Sequence, residues 1–231
     1  MPLAELITRK GREALQAAVR LTQDELGLEV IYGDTDSVMI ATGTDKLADV
    51  RVKGEELKRQ INKAYSTLEI DIDGIFKTML LLKKKKYAAL MIIDDKGTTQ
   101  KQTKGLDLVR RDWCELSADI GNHVLDLVLS GQQRDEVLDR IYAFLRESAQ
   151  RMRHNMVLLR KYIITKTLSK PAEDYPDAKG LPHVQVALKM RARGRTFRVG
   201  EAVEYVICQG DGSFSERAYA PEQVLQANGQ L

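Results

Sequence analysis

Residues 30–40, VIYGDTDSVMI, set two carboxylates, Asp34 and Asp36, on either side of Thr35 between two apolar runs rich in β-branched residues. The flanks LEVIY and SVMIAT have strand composition and the GDTD segment has turn composition, which predicts a β-hairpin. In a strand, residues two apart point to the same side at about 7 Å between Cα atoms, so both carboxylates converge on one site. Two carboxylates sharing a poorly solvated site push one pKa up, and a divalent cation keeps both ionised. Gly33 permits a tight turn, and Thr35 and Ser37 crowd the site little. The competing explanation is an Asp-rich hairpin tip exposed to water. These residues alone leave both open.

The segments around this hairpin predict its surroundings. Residues 2–26 carry apolar side chains at Leu3, Leu6, Ile7, Ala14, Ala18 and Leu21, with Pro2 at the start and Gly27 at the end. That is an amphipathic helix with its start and stop signals. A second helix is expected over Asp45 to Tyr65, with Leu47, Val50, Leu57, Ile61 and Ala64 on one side. LEIDIDGIF alternates strictly and predicts a half-buried strand ending at Gly74. TMLLLKKKKYAALMII then predicts one long extended segment, closed by the turn Asp94-Asp95-Lys96-Gly97. This order gives an α+β fold, an antiparallel sheet with helices on one face.

The pattern changes after Gly105. Residues 106–130 and 133–153 predict two helices separated by Ser130-Gly131, the second with Val137, Ile141, Phe144, Leu145 and Met152 at helical spacing. KPAEDYPDAKG reads as a loop, LPHVQVALKMRA as a helix with Pro182 in its first turn, and EAVEYVICQ as a strand. Two domains follow, 1–105 and a mainly helical 106–231.

The 231 residues are 43% hydrophobic, enough for one substantial core or two smaller ones. No run of 18 apolar residues and no signal-peptide order occurs, so nothing in the sequence directs the chain to a membrane. Cys114 and Cys208 lie far apart outside any CxxC or Cys/His spacing; they read as reduced thiols and argue against structural zinc. The net charge is only +3, but the 36 Lys and Arg cluster at Lys83 to Lys86, Arg110 to Arg111 and Arg191 to Arg198. Local basic patches therefore matter more than the total. The Arg191 cluster is ordinary as a solvated face.

Lys83 to Lys86 would place four cations in the middle of a predicted strand with apolar flanks. Like charges at i and i+2 repel, and a polyanion such as a nucleic-acid backbone would relieve them. Tyr87 either packs on a sugar or base or fills the core. KGLDLVRRDW adds Lys104, Arg110 and Arg111 near the domain boundary, where arginine suits forked phosphate contacts and Arg111 with Asp112 equally suits a structural ion pair. An octahedral Mg²⁺ takes one or two carboxylates and fills its shell with water and substrate phosphates. Two-metal chemistry needs a further carboxylate. Glu69, Asp71 and Asp73 are candidates by count, but their alternation with Ile70 and Ile72 is better explained as the wet face of a strand.

Together these stretches resemble the family B DNA polymerases. YGDTDS resembles their third conserved palm motif, KKKY their Lys/Tyr primer-template motif, and KGLDLVRRD the passage from palm to thumb. LEIDIDG, LPHVQVAL and AYAPEQ extend the likeness in the same order over nearly the whole chain. The resemblance implies a palm ending near residue 105 and a thumb from 106 to 231. It makes Asp36 the principal metal-binding aspartate, Asp34 its partner, and Lys84, Lys85, Lys86 and Tyr87 primer-template contacts. It implies Mg²⁺ in a two-ion site, a deoxynucleoside triphosphate, and a primer-template that is an RNA/DNA hybrid or DNA duplex. It further implies primase and accessory partners reached through other parts of such a polymerase, and a nuclear location.

The family's DxxSLYPS and Kx₃NSxYG motifs, its exonuclease-like region and its cysteine-rich zinc modules have no counterpart here. Met1 stands before PLAEL, which the family carries mid-chain. The expectation is therefore a palm and thumb piece of an enzyme, inactive alone. A non-catalytic clamp on nucleic acid is the alternative.

Overall fold

The computed structural model describes residues 2–63, 65, 69–110 and 112–227. Met1, Ala64, Leu68 and Arg111, which enter the sequence reading, lie outside them. The chain divides into two compact units, Met1–Gly105 and Leu106–Leu231. Both mix helices with antiparallel strands, so the fold is α+β.

In the first unit, helix α1 (Pro2–Arg20) continues into one π-helical turn at Leu21–Glu25, and the chain leaves through Gly27 at φ +62°. The buried Thr22 hydroxyl donates to the Ala18 carbonyl at 2.7 Å within this region, a bond back to the preceding turn that often accompanies helix distortion. Strands β1 (Glu29–Asp34) and β2 (Ser37–Ala41) form the expected hairpin, with Asp34 opposite Ser37. The register shifts between Val30 and Tyr32, a bulge that bends the strand just before the turn. Gly33 is not needed for the turn: its φ is not in the left-handed region, and a Cβ there would meet the Ser37 carbonyl only at an ordinary 3.8 Å.

Helix α2 (Leu47–Lys63) buries Ile61. The strand expected over LEIDIDGIF begins only at Ile75; residues 69–74 are irregular. Side chains take the place of a ladder there. The Asn62 amide accepts from the Ile70 N–H at 2.8 Å and donates to the Ile70 carbonyl at 3.0 Å, while Asp71 accepts from the Ile72 N–H at 2.8 Å and pairs with Lys58 at 2.8 Å.

The long extended segment is in fact a hairpin. Strands β3 (Ile75–Lys83) and β4 (Lys86–Ile92) pair antiparallel with Lys83 opposite Lys86, so Lys84 and Lys85 form the turn. Reversing the chain inside the lysine run moves the charges from a strand interior to the end of a sheet. The sequence reading also omitted β5 (Thr99–Lys104), which pairs with β4 and places Lys104 opposite Tyr87. The unit thus holds a two-stranded and a three-stranded sheet, rather than one continuous sheet.

In the second unit, the helix expected from residue 106 starts only at Glu115. Residues Asp107–Val109 make a 3₁₀ turn, and Arg110 and Cys114 are extended. Helices α3 (Glu115–Val128) and α4 (Arg134–Arg153) are joined through Gly131 at φ +74°. The His123 and Phe144 rings pack between them at 4.0 Å. Strand β6 (Ile164–Thr167), helix α5 (Pro182–Arg191), strands β7 (Ala202–Ile207) and β8 (Ala218–Tyr219) and helix α6 (Pro221–Gln226) complete the unit. Its core lies between α5 and the β6-β7-β8 sheet, with Leu168, Val184, Val186, Val203 and Ala218 wholly buried. Among the described residues, no helix is long and apolar enough to cross a membrane.

Candidate functional site

Two turns of the first unit meet: Thr35-Asp36 between β1 and β2, and Lys84-Lys85 between β3 and β4. The contact is made by Tyr32 and Asp34. Strand alternation puts these two on one side of β1, and both hold Lys85. The Lys85 backbone N–H donates to the Tyr32 hydroxyl at 2.8 Å. Its ammonium pairs with Asp34 Oδ1 at 3.1 Å, with the Asp34 side chain only 14% exposed and that of Lys85 67% exposed.

Asp34 Oδ1 also accepts from the Thr35 N–H at 2.9 Å and the Thr35 hydroxyl at 3.3 Å. The Thr35 N–H first, and the Lys85 ammonium after it, hold the Asp34 carboxyl below the usual carboxylate range. Asp34 is therefore ionised at neutral pH. These three contacts all fall on Oδ1.

Asp36 stands differently. It occupies the turn, is exposed, and has no hydrogen-bond or ion-pair partner among the described residues. Alternation along a strand therefore pairs Asp34 with Tyr32, and the relation of Asp34 to Asp36 is set by the turn. Carboxylates are hard ligands that suit a Mg²⁺ keeping waters and substrate oxygens in its shell; Asp36 offers an exposed one and Asp34 a largely covered one. No group of three or more His, Cys, Asp or Glu side chains placed to hold a metal occurs among the described residues. Asp71, one of the acids set aside in the sequence, is committed to Lys58.

Lys83 to Lys86 and Lys104 share one end of the β3-β4-β5 sheet, because β3 ends, β4 begins and β5 ends there. Lys83, Lys84, Lys85 and Lys104 are exposed. Tyr87 is buried at 9% exposure with its ring edge-on to Phe76 at 6.2 Å. Its ring packs in the core of this unit. Arg110 lies in the second unit and pairs with Asp107 at 3.4 Å. Arg111 lies outside the described residues.

Two residues of the site, Gly105 and Tyr32, escaped the sequence reading, as did the backbone conformation of Lys85. Lys85 has φ +62°, a left-handed conformation that only Asn155 shares among the described non-glycine residues. Gly105, itself at φ +65°, packs so closely on the Lys85 carbonyl oxygen that a Cβ would overlap it. Gly105 carries a signal, a glycine directly after Lys104, but in the sequence it marks only the change of pattern between the two domains. Tyr32 stood inside the quoted motif with nothing in the sequence to give its hydroxyl a partner.

The DNA polymerase family B model matches residues 1–231. The chain is 50% identical over 230 residues to the DNA polymerase alpha catalytic subunit of Xenopus laevis, covering 96% of this chain and 16% of that protein. It is 49% identical over 232 residues to the subunit of the same name from Oryza sativa, and 48% over 230 residues to that of Mus musculus. The chain spans about a sixth of the length of these curated relatives. Among solved structures, the family B DNA polymerase of the hyperthermophilic archaeon Pyrobaculum calidifontis superposes with a TM-score of 0.69 at 32% identity, over 94% of this chain and 26% of that one. The matched family, the relatives and the fold agree, and the chain belongs to DNA polymerase family B.

Proposed function

We propose that the chain supplies the later palm, residues 1–105, and the thumb, residues 106–231, of an alpha-type replicative DNA polymerase. In this role it serves an enzyme that extends primase-made RNA primers in the nucleus. The observation that carries this reading is the contact of the Asp34 hairpin with the Lys85 turn, which puts carboxylates for a metal next to cations for phosphate.

Asp34 and Asp36 would hold Mg²⁺ together with an acidic residue from elsewhere in the polymerase. Bound there, Mg²⁺ supplies charge stabilisation to the entering and leaving oxygens of nucleotidyl transfer. The chain's own residues bind and orient. Lys84, Lys85, Lys86 and Lys104 offer ammonium groups to the primer-template backbone, whether RNA/DNA hybrid or DNA duplex. Fixing the primer end against the deoxynucleoside triphosphate is the larger part of the work in such reactions. Primase and accessory subunits would engage other parts of the polymerase.

The second reading is a non-catalytic clamp on the primer-template backbone. It is favoured by the lack, among the described residues, of a metal-holding group of three or more acidic, His or Cys side chains. A primer-extension assay with Mg²⁺ on the purified chain should show no incorporation, and adding a family B polymerase segment that carries a further acidic residue should restore it. Templated synthesis by the chain alone would overturn the shared role for Asp34 and Asp36. Failure of any acidic segment to restore synthesis, with primer-template binding intact, would favour the clamp.

A further inference from the structure

The left-handed Lys85 is an outlier that its own sequence does not favour. The third position of such a turn, where φ is positive, is usually filled by glycine or asparagine. A strained non-glycine residue persists only where its surroundings over-determine it, and such residues collect at working sites. Three contacts fix this one. Tyr32 accepts from its N–H at 2.8 Å, Asp34 takes its ammonium at 3.1 Å, and Gly105 closes on its carbonyl oxygen. Tyr32 and Asp34 reach it from the same side of β1, just past the bulge at Val30/Tyr32.

We propose that Tyr32 is a positioning residue that couples the carboxylate hairpin to the lysine turn. Its hydroxyl holds the Lys85 backbone left-handed, so the ammonium lies over Asp34 and the neighbouring Lys84 projects from the sheet end toward phosphate. This rests on the proposed primer-template role for the turn. The lock itself is a matter of geometry and is read separately. No proton need move. The phenol acts as an acceptor, which phenylalanine cannot replace while keeping the same ring.

The test uses the 231-residue chain with Tyr32→Phe, Lys85→Gly and the double variant. Amide hydrogen exchange at Lys85 reads the lock without any ligand. Tyr32→Phe should speed exchange at that amide about tenfold or more, while amides in the middle of β4 keep their rates. Unchanged protection at Lys85 overturns the lock. Affinity for a primer-template duplex at low salt reads its purpose. Tyr32→Phe should weaken binding about five- to tenfold. Glycine adopts the left-handed conformation unaided, so adding Tyr32→Phe to Lys85→Gly should cost nothing further. Equal losses from Tyr32→Phe in both backgrounds would overturn the coupling and mark a merely structural ring. If the unsubstituted chain does not bind primer-template at all, the proposed function fails and the purpose assigned to Tyr32 fails with it. The exchange result then still decides whether the lock exists.

Discussion

Asp34 and Asp36 look equivalent in the sequence and differ in the folded chain. Asp34 accepts from the Thr35 N–H and from Lys85 and is held below the usual carboxylate range. A carboxyl depressed in this way stabilises the fold fully above its unfolded pKa and loses that contribution as pH falls through its lower folded value. The effect therefore belongs to acid and leaves neutral pH untouched. In Lys85→Ala, a carboxyl ¹³C titration should show Asp34 moving partway up toward the ordinary value, because the Thr35 N–H stays. No movement would mean that the ion pair adds nothing. Asp36, exposed in the turn, is available to a cation. Asp36→Ala should weaken Mn²⁺ binding to the hairpin at least about tenfold, read from paramagnetic broadening at Thr35 and Ser37. Broadening that survives the substitution would move the metal elsewhere.

At the scale of elements, the β3–β4 hairpin is where sequence reasoning and structure part. A run of four lysines carries no Gly, Pro, Asn or Asp, so the usual marks of a turn are missing. The chain turns there because a distant tyrosine and a glycine just past the end of β5 receive it. The first hairpin was legible, since GDTD carries its turn in local composition. The strand expected at LEIDIDGIF failed for the opposite reason: its alternation is real, but Asn62 on α2 takes the Ile70 backbone groups that a ladder would use. Alternation tells which way side chains point and leaves open where backbone bonds go. Gly105→Ala measures how tightly the turn is held. It should cost about 2–3 kcal/mol by urea unfolding, combining a left-handed Cβ with overlap on Lys85. Gly97→Ala, also left-handed but with nothing within 4 Å, should cost only about 1 kcal/mol. Equal costs would mean that Lys85 yields easily.

At the scale of the whole molecule, the α+β class and the change of pattern after Gly105 could be read from periodicity and from stop signals at glycines. The lysine cluster was also visible as composition, but its arrangement was not. Lys104 reaches the same sheet end as Lys83 to Lys86 only because of β5, a polar strand, TQKQTK, with no apolar alternation to announce it. Pairing across a sheet is a long-range fact that local pattern does not contain. The pairing gives the proposed function its most direct measurement. Affinity of the chain for a primer-template duplex should be recorded across salt concentrations, with and without Lys84→Ala, Lys85→Ala and Lys86→Ala together. Each ammonium that neutralises one phosphate contributes about −0.9 to the slope of log K against log salt. The triple substitution should therefore flatten the slope by about 2, and by about 3 if the Lys85 ammonium leaves Asp34 for a phosphate when nucleic acid binds. An unchanged slope would contradict the claim that this turn is where the chain meets nucleic acid.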